Sequence, residues 1–307
     1  MENGYIAVVG GANLDLNGTP FTAMLGGDSN PGTVSGAPGG VGRNIAEVLA
    51  HMGADVRLVT ALGNDMAAQL IRQSCAELGI DLSHSLTLAG ERTGTYLCLN
   101  HPDGDLYAAV SDMRIYDRMT PELLAPALEM LNRASLVVLD ANLPSPLLGW
   151  LAASCTAPLA ADPVSAKKSV RLQPCLSHLL TLKPNRAEAA ALTGIPIRDT
   201  EDLSRAADDL LRAGVAHVFI SLGAEGVYYA DTEARGIQPC CPAHIVNTSG
   251  CGDAFLAAAS LALISGNGIK EAALLGQAAS AICAEQEAAG GAELHMTNIR
   301  RRAGMTT

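Results

Sequence analysis

Short apolar segments alternate with segments of helical periodicity along most of this sequence, and this alternation limits the possible folds more than any other feature. The first segment, residues 5–10, is an apolar run that ends in glycine, as buried strands often do. The same pattern predicts further strands at 55–62, 136–140, 158–162, 179–182, 215–222 and 227–230. It predicts helices at 40–52, 65–78, 121–132, 146–154, 186–192, 200–213, 252–265 and 269–286. Alternating strands and helices indicate a doubly wound three-layer α/β sandwich, with a mostly parallel sheet and a ligand site at the carboxyl ends of its strands.

Two segments interrupt the alternation. Residues 13–38 are rich in Gly, Thr, Asp and Pro, which predicts extended or loop structure away from the core. Residues 92–110 hold two strand-like runs joined by a turn that contains Asp103 and Gly104, which is typical of a β-hairpin. The sequence has no internal repeat and no low-complexity linker, so residues 1–307 are expected to form one domain. The basic end that includes Arg300, Arg301 and Arg302 is expected to be frayed.

Composition excludes several classes of protein. Hydrophobic residues make up 49% of the chain, enough for a sizeable core, and the formal net charge of −11 argues against binding to a nucleic-acid backbone. None of the eight cysteines forms a C-x-x-C pair, which makes a zinc site unexpected. The first four residues do not resemble a signal peptide, and the longest apolar stretch, near 255–264, is too short to span a bilayer. We therefore expect a cytoplasmic protein with reduced thiols that binds neither nucleic acid nor membrane.

The strongest chemical signal is Gly250-Cys251-Gly252-Asp253, which opens an alanine-rich helical segment. The two glycines allow a sharp turn and leave backbone N–H groups open, so that they and the positive end of the helix form an anion hole. Asp253 lies in the first turn, where it could act as the base that deprotonates an attacking hydroxyl group in phosphoryl transfer. The alternative is that Asp253 is a first-turn residue favoured by the helix dipole.

A second motif, residues 38–44, also opens a helix. Its glycines allow the close approach of a ligand, and the amide of Asn44 can donate to and accept from a diol. The pattern is neither a Rossmann fingerprint nor a Walker A sequence. The alternative is that these glycines serve only tight packing of the helix on a strand.

The third motif is Asn185 followed by Glu188. This spacing is typical of a capping box at a helix N-terminus. The same oxygen donors could hold waters around a magnesium–phosphate complex, and the two interpretations are compatible.

The three motifs occur in this order along the chain, and together they resemble the PfkB-type, ribokinase-like carbohydrate kinases over essentially its whole length. The resemblance implies an α/β sandwich with a small β-sheet lid, formed here by about residues 13–37 and 91–113, and the use of ATP and Mg²⁺. It implies that Asp253 is the base and that Gly250, Cys251 and Gly252 form the anion hole. It assigns the sugar to Asn13, Asp15, Gly39, Gly40 and Asn44, the nucleotide to Lys183, Asn185, Ser221, Gly223 and Gly226, and Mg²⁺, through water, to Asn185 and Glu188.

Within the family, segments such as 28–32, 162–166 and 181–186 are most similar to those of pseudouridine kinases, which implies a nucleoside whose ribose 5′-hydroxyl is phosphorylated. The residues expected to read its base are Ser29, Asn30, Thr95, Asp112 and Lys168. For Ser29 the alternative is a plain turn residue, and for Lys168 it is a solvated basic pair with Lys167.

Two residues depart from the family pattern. Cys251 stands where alanine is common, and Asn247 stands where many members have an aspartate that helps a potassium site, so activation by a monovalent cation is in doubt. The family also implies that lids can pair in a homodimer. Two alternatives stay open: a kinase for another nucleoside or ribose, and a non-catalytic sugar or nucleotide sensor on the same fold. Asp253 argues against the sensor, because a binding protein needs no base.

Overall fold

The computed structural model describes residues 4–287 and 291–305, and it is built around a large twisted sheet. Its strands are β1 (Tyr5–Val9), β2 (Asn13–Pro20), β3 (Gly32–Gly39), β4 (Asp55–Val59), β5 (Ala61–Leu62), β6 (Leu86–Thr87), β7 (Thr95–Asn100), β8 (Leu106–Asp112), β9 (Leu136–Asp140), β10 (Leu159–Asp162), β11 (Leu179–Leu182), β12 (His217–Ser221), β13 (Val227–Ala230) and β14 (Arg235–Gln238). The order in the large sheet is β14-β13-β12-β11-β10-β9-β1-β4. All pairs from β12 to β4 are parallel, and β13 and β14 add an antiparallel edge.

Helices cover both faces of this sheet. They are α1 (Val41–His51), α2 (Met66–Glu77), α3 (Pro121–Leu124), α4 (Leu128–Asn132), α5 (Ser145–Ser154), α6 (Ala166–Ser169), α7 (Arg186–Thr193), α8 (Thr200–Arg212), α9 (Cys251–Ile264), α10 (Ile269–Ala284) and α11 (Met296–Arg302). Successive side chains of β1 point to opposite faces. Ala7 and Val9 pack into a core with α5, α7 and α8, whereas Ile6 and Val8 pack into a second core with α1, α9 and α10. The predicted three-layer, mostly parallel sandwich is confirmed.

The interrupting segments form a separate four-stranded sheet, ordered β3-β2-β7-β8. The predicted hairpin is present as β7 and β8, which are antiparallel, and the segment 13–38 provides β2 and β3. Gly104 takes a left-handed φ of 95° in the hairpin turn, as the Asp-Gly pair predicts. We call this sheet the lid. Its strands end on one side at Asn13, Gly39, Thr95 and Asp112, which we call the root of the lid, and on this side the chain runs from β1 into Asn13 and from Gly39 into α1.

Three predictions about elements were wrong. The predicted helix at 121–132 is broken into α3 and α4 by a 3₁₀ turn at Ala125–Ala127, because Pro126 cannot donate to a continuous helix. The predicted strand at 55–62 is divided between β4, which pairs with β1, and β5, which pairs with β6. The expected frayed end contains α11, because Ile299 is fully buried and Arg302 pairs with Glu285 at 2.7 Å. Within 4–287 and 291–305, no helix is both long enough and apolar enough to span a membrane.

Candidate active site

The start of α9 lies at the carboxyl edge of the large sheet. Gly250 precedes this helix with a left-handed φ of 78°, which lets the chain turn sharply into it. The preceding loop is held by the side chain of Asn247, which accepts from the Ser249 N–H at 2.9 Å and donates to the Glu287 carbonyl at 2.9 Å. A Cβ atom on Gly252 would lie only 3.1 Å from the Nζ of Lys183. A helix N-terminus and a lysine ammonium therefore converge on one point, which favours an anion there.

Cys251 does not fill this anion hole. Its Sγ faces the Asn247 carbonyl oxygen at 3.9 Å, and its own N–H makes a long contact with the Thr248 carbonyl oxygen at 3.4 Å. A hydrogen bond with Cys283, together with burial, raises the pKa of the Cys251 thiol, so it stays protonated.

Asp253 is buried, with 8% of its surface exposed. The Nδ2 of Asn44 donates to its Oδ2 at 3.0 Å, which joins the 38–44 motif to the Gly250–Asp253 motif across 209 residues of sequence. Burial and the nearby Asp162 carboxylate raise the pKa of Asp253 well above its usual range, although Asn44 and Lys183 act in the opposite direction. A carboxylate with a raised pKa is a stronger base than an exposed one.

Lys183 follows β11 and pairs with Asp162, which ends β10, at 3.5 Å between Nζ and Oδ2. Both side chains are almost fully buried. Burial would lower the pKa of Lys183, but Asp162, Glu188 and Asp253 surround it and raise that pKa, so the ammonium stays charged. The site thus holds a permanent cation beside Asp253.

Sequence reasoning missed two carboxylates at this edge. Asp140 and Asp162 end the neighbouring strands β9 and β10 and are register partners. Asp140 is fully buried and accepts from the N–H groups of Gly11 and Asn142 at 2.7 and 2.8 Å, which fixes the turn after β1. The signal was available, because both residues follow apolar runs at the edge where parallel strands place ligands.

Asp162 is held by a strained turn. The N–H of Val164 donates to its Oδ1 at 2.7 Å, and Val164 has a φ of 64°, which a β-branched residue rarely adopts. The Ser165 N–H closes the turn on the Pro163 carbonyl at 2.7 Å. The backbone N–H of Val164 therefore holds one carboxylate oxygen of Asp162, and the ammonium group of Lys183 holds the other.

The residues expected at the sugar meet at the root of the lid. Asn13 is buried and donates through Nδ2 to Asp15 Oδ1 at 2.5 Å. A side chain on Gly39 would collide with the Asp15 carboxylate, and Gly40 has a φ of 98°. These glycines are therefore needed for close approach at this point. Burial raises the pKa of Asp15 more than Asn13 and Arg43 lower it.

The residues expected to read a base are not gathered in one place. Lys168 donates through Nζ to the Asn142 Oδ1 at 2.6 Å and is half-buried, so the alternative of a solvated basic pair is wrong for it. Thr95 and Asp112 are register partners at the root of the lid, and Asp112 is paired with Arg114 at 2.7 Å. Arg114 lowers the pKa of Asp112 to about 2.

Ser29 and Asn30 lie elsewhere, in the exposed loop between β2 and β3. That loop starts seven residues along β2 from Asn13, about 23 Å at ~3.3 Å per residue. The Asn30 side chain holds the loop together by accepting from the Leu25 N–H at 2.7 Å and donating to the Leu25 carbonyl at 3.0 Å.

The residues expected at the nucleotide flank the carboxyl ends of β11 and β12. Asn185 and Ser221 form an isolated parallel β-bridge, and the Ser221 N–H donates to the Pro184 carbonyl at 2.8 Å. Gly223 and Gly226 have φ values of 63° and 106°. A side chain on Gly226 would collide with the Gln238 carbonyl of β14, so packing alone already requires this glycine.

The predicted capping box is present at the start of α7. Asn185 Oδ1 accepts from the Glu188 N–H at 2.9 Å, and Glu188 Oε2 accepts from the Asn185 N–H at 2.8 Å. Among the described residues, no group of three or more His, Cys, Asp or Glu side chains is arranged to hold a metal ion. A buried carboxylate and an amide oxygen beside an anion site nevertheless fit Mg²⁺, which takes most of its ligands from phosphate and water.

Comparison with known proteins agrees with this arrangement. Residues 3–295 match the description "pfkB family carbohydrate kinase". The chain is 33% identical over 300 residues to the pseudouridine kinase of Escherichia coli (strain K12), covering 97% of this chain and 96% of that protein. It is 28% identical over 241 residues to the pseudouridine kinase of Arabidopsis thaliana, covering 71% and 63%.

Two solved structures have the same fold. A carbohydrate kinase from Agrobacterium tumefaciens superposes with a TM-score of 0.87 at 30% identity, covering 99% of this chain and 98% of that one. The ribokinase of Arabidopsis thaliana complexed with ribose and ATP gives a TM-score of 0.86 at 23% identity, covering 99% of both chains. With the sequence match, the ribokinase-like fold and the convergence of all three motifs at one edge of the sheet, the chain belongs to the pfkB family of carbohydrate kinases and is a sugar or nucleoside kinase.

Proposed function

We propose that this kinase transfers the γ-phosphoryl group of ATP to the 5′-hydroxyl of a nucleoside, and that the nucleoside is pseudouridine. The observation that carries the proposal is the meeting of three separate parts of the chain at one point: the Asn44 amide, the Asp253 carboxylate and the Lys183 ammonium. The likeness to two pseudouridine kinases, one of them over nearly the whole chain, supports this acceptor. The shared fold with a ribokinase that holds ribose and ATP supports the use of ATP.

In the proposed reaction, Asp253 takes the proton of the 5′-hydroxyl while the hydroxyl oxygen forms a bond to the γ-phosphorus. The bond between that phosphorus and the bridging oxygen breaks, and ADP leaves. The developing negative charge is stabilised by Lys183 and by the N–H groups of Gly250, Cys251 and Gly252. When bound, Mg²⁺ neutralises charge on the phosphate oxygens, and Asn185 and Glu188 would hold its waters.

The acceptor and the nucleotide would occupy neighbouring parts of the carboxyl edge. Asn13, Asp15 and Asn44 would bind the ribose hydroxyls against Gly39 and Gly40, where the backbone leaves room. The nucleotide would lie along Ser221, Gly223 and Gly226, beside Asn185. Both placements follow from the family and from where the residues lie. The acceptor residues are on the Asp253 side, through Asn44, and the nucleotide residues are on the Lys183 side, through Asn185.

Recognition of the base would use polar groups that a wrong base leaves unpaired. Lys168, held by the buried Asn142, can donate to a uracil carbonyl, and burial lowers its pKa. Thr95 and Asp112 lie at the root of the lid, but on the face opposite Asp15, so they would reach the base only around the edge of the sheet. Ser29 and Asn30 can contribute only if their loop folds over the bound nucleoside. Unpaired buried polar groups penalise an analogue far more than a missing methylene does.

A substrate panel tests this function. Purified enzyme with ATP and Mg²⁺ is assayed for ADP formation with pseudouridine, uridine, adenosine and ribose. We expect kcat/KM for pseudouridine to exceed the others by ~10²-fold or more. Equal values for uridine or ribose would contradict the pseudouridine assignment and leave a broader kinase. Binding of nucleoside and ATP without any ADP formation would instead favour the sensor.

We also propose that two copies pair through the outer face of the lid. Register partners in the lid share a face, and one face carries Leu97, Leu99, Val110 and Val34, all of them exposed. The opposite face carries Asp15 and belongs to the acceptor site. An apolar sheet face of this kind is rarely left uncovered in a soluble monomer, and a second copy of the same face is a complementary occupant.

A further inference from the structure

Arg43, in the first turn of α1, is a buried arginine that contacts both the acceptor site and the lid. Only 5% of its surface is exposed. Its Nη1 lies 3.1 Å from the Pro38 carbonyl oxygen, 3.3 Å from Asn44 Oδ1 and 3.0 Å from Glu47 Oε2, and its Nη2 donates to Ser74 Oγ at 2.8 Å. Neither the proposed reaction nor the family motifs use this side chain.

We propose that Arg43 is a positioning residue that holds the oxygen of the Asn44 amide and so directs the amide nitrogen toward Asp253 and the acceptor hydroxyl. The inference rests on the proposed function, in which Asn44 binds the acceptor and Asp253 is the base. A guanidinium group only donates hydrogen bonds, and a side-chain amide has one accepting and one donating end. Because Arg43 faces Asn44 from one side and Asp253 faces it from the other, only one orientation satisfies both neighbours.

The opposite orientation would be unfavourable at both ends. It would place the Asn44 oxygen against the Asp253 carboxylate and the Asn44 N–H groups against the guanidinium. A hydrogen bond to a charged group is stronger than a neutral one, so losing the Arg43 contact would let the amide populate orientations that do not serve the acceptor. Asp253 is also faced by Asp162, Lys183 and Cys283.

A purely structural role predicts something different. Arg43 also ties α1 to α2 through Ser74, and this contact does not involve Asn44. If Arg43 only held the two helices together, loss of the Ser74 contact and loss of the Asn44 contact would have similar consequences. The Ser74→Ala variant is therefore a matched control, since it removes one arm of the arginine and leaves the arm that reaches Asn44.

A double-mutant cycle tests the proposal. Arg43→Lys keeps the charge but loses the forked geometry, and we expect kcat/KM for the nucleoside to fall about 10-fold or more, with KM for ATP unchanged within about 2-fold. In an Asn44→Ala background the same substitution should cost less than about 3-fold, because Arg43 acts through Asn44. Ser74→Ala should keep the wild-type kcat/KM. Thermal melting of every variant checks that it folds, and Arg43→Gln is measured in the same cycle if Arg43→Lys does not fold.

Equal losses from Arg43→Lys in the presence and absence of Asn44 would overturn the proposal, as would an equal loss in Ser74→Ala. The proposed function fails separately, if the wild-type enzyme forms no ADP with any nucleoside of the substrate panel, and the role of Asp253 as base fails if Asp253→Asn retains turnover. If Asp253→Asn is inactive but the effects of Arg43→Lys and Asn44→Ala simply add, the positioning role of Arg43 is wrong and the proposed function still stands.

Discussion

At Asp253, the surroundings both oppose and support the charge that a base must carry. Burial and the Asp162 carboxylate favour the protonated form, whereas the Asn44 amide and the Lys183 ammonium favour the carboxylate. A residue that only completed the helix dipole would need none of these partners. The balance leaves a carboxylate with a raised pKa, which suits removal of a proton from a hydroxyl group.

Replacement of Asp253 by Asn should keep the fold and ATP binding while kcat falls about 10²–10⁴-fold, the usual contribution of a positioned base. The wild-type kcat/KM should also fall as pH decreases through the raised pKa of Asp253, because only the deprotonated carboxylate accepts the proton. Steady-state kinetics across pH would measure both effects. Glu271→Gln, the same loss of charge in the first turn of α10, is the control and should change neither. Near-wild-type turnover of Asp253→Asn would remove the assigned base.

At the scale of elements, the outer strands of the lid are open to solvent. Every residue of β8 except the last is exposed, and β3 is almost as open. The lid continues into the α/β core at Asn13 and Gly39, and its strands β2 and β3 also contact α2. Phosphoryl transfer requires that water be excluded, since otherwise ATP is hydrolysed, so we expect the lid to close over the acceptor.

Nucleoside binding should therefore protect backbone amides of residues 92–110 from hydrogen exchange. The comparison is between enzyme alone and enzyme with saturating nucleoside, read by mass spectrometry. Peptides from α8, which packs into the core shared with α5 and α7, provide the internal control and should exchange equally in both samples. Identical exchange of the hairpin with and without nucleoside would argue against closure.

Much of this architecture could be predicted from local sequence, and the reasons for the failures are physical. Buried strands such as β9 appear as apolar runs, and the Asp-Gly turn determines the hairpin. The role of Arg43 could not be predicted, because its partners come from the lid, α1 and α2, and only folding brings them together. The helix α11 was missed because its packing depends on the distant Glu285. The three motifs were found because each carries its chemistry within a few residues.

At the scale of the whole molecule, the outer face of the lid determines the expected assembly. We expect the wild-type protein to sediment as a dimer and Val110→Lys to shift it to a monomer, because a buried lysine on this apolar face would be unpaired. Leu123→Lys adds the same charge at another exposed apolar residue, on α3, and should leave the dimer intact. Analytical ultracentrifugation at several concentrations measures both. A wild-type protein that is monomeric at all of them would exclude the lid interface.

The left-handed Val164 has a consequence for how this kinase can be improved. A branched residue in that conformation costs about 1–3 kcal/mol and persists only because its neighbours fix it. That cost is present before any ligand arrives, so Asp162 and its lysine partner are already in place when the substrates bind. Relieving the strain would make the folded protein more stable and its charge array less rigid. At residue 164, a substitution that raises thermal stability is therefore expected to lower turnover.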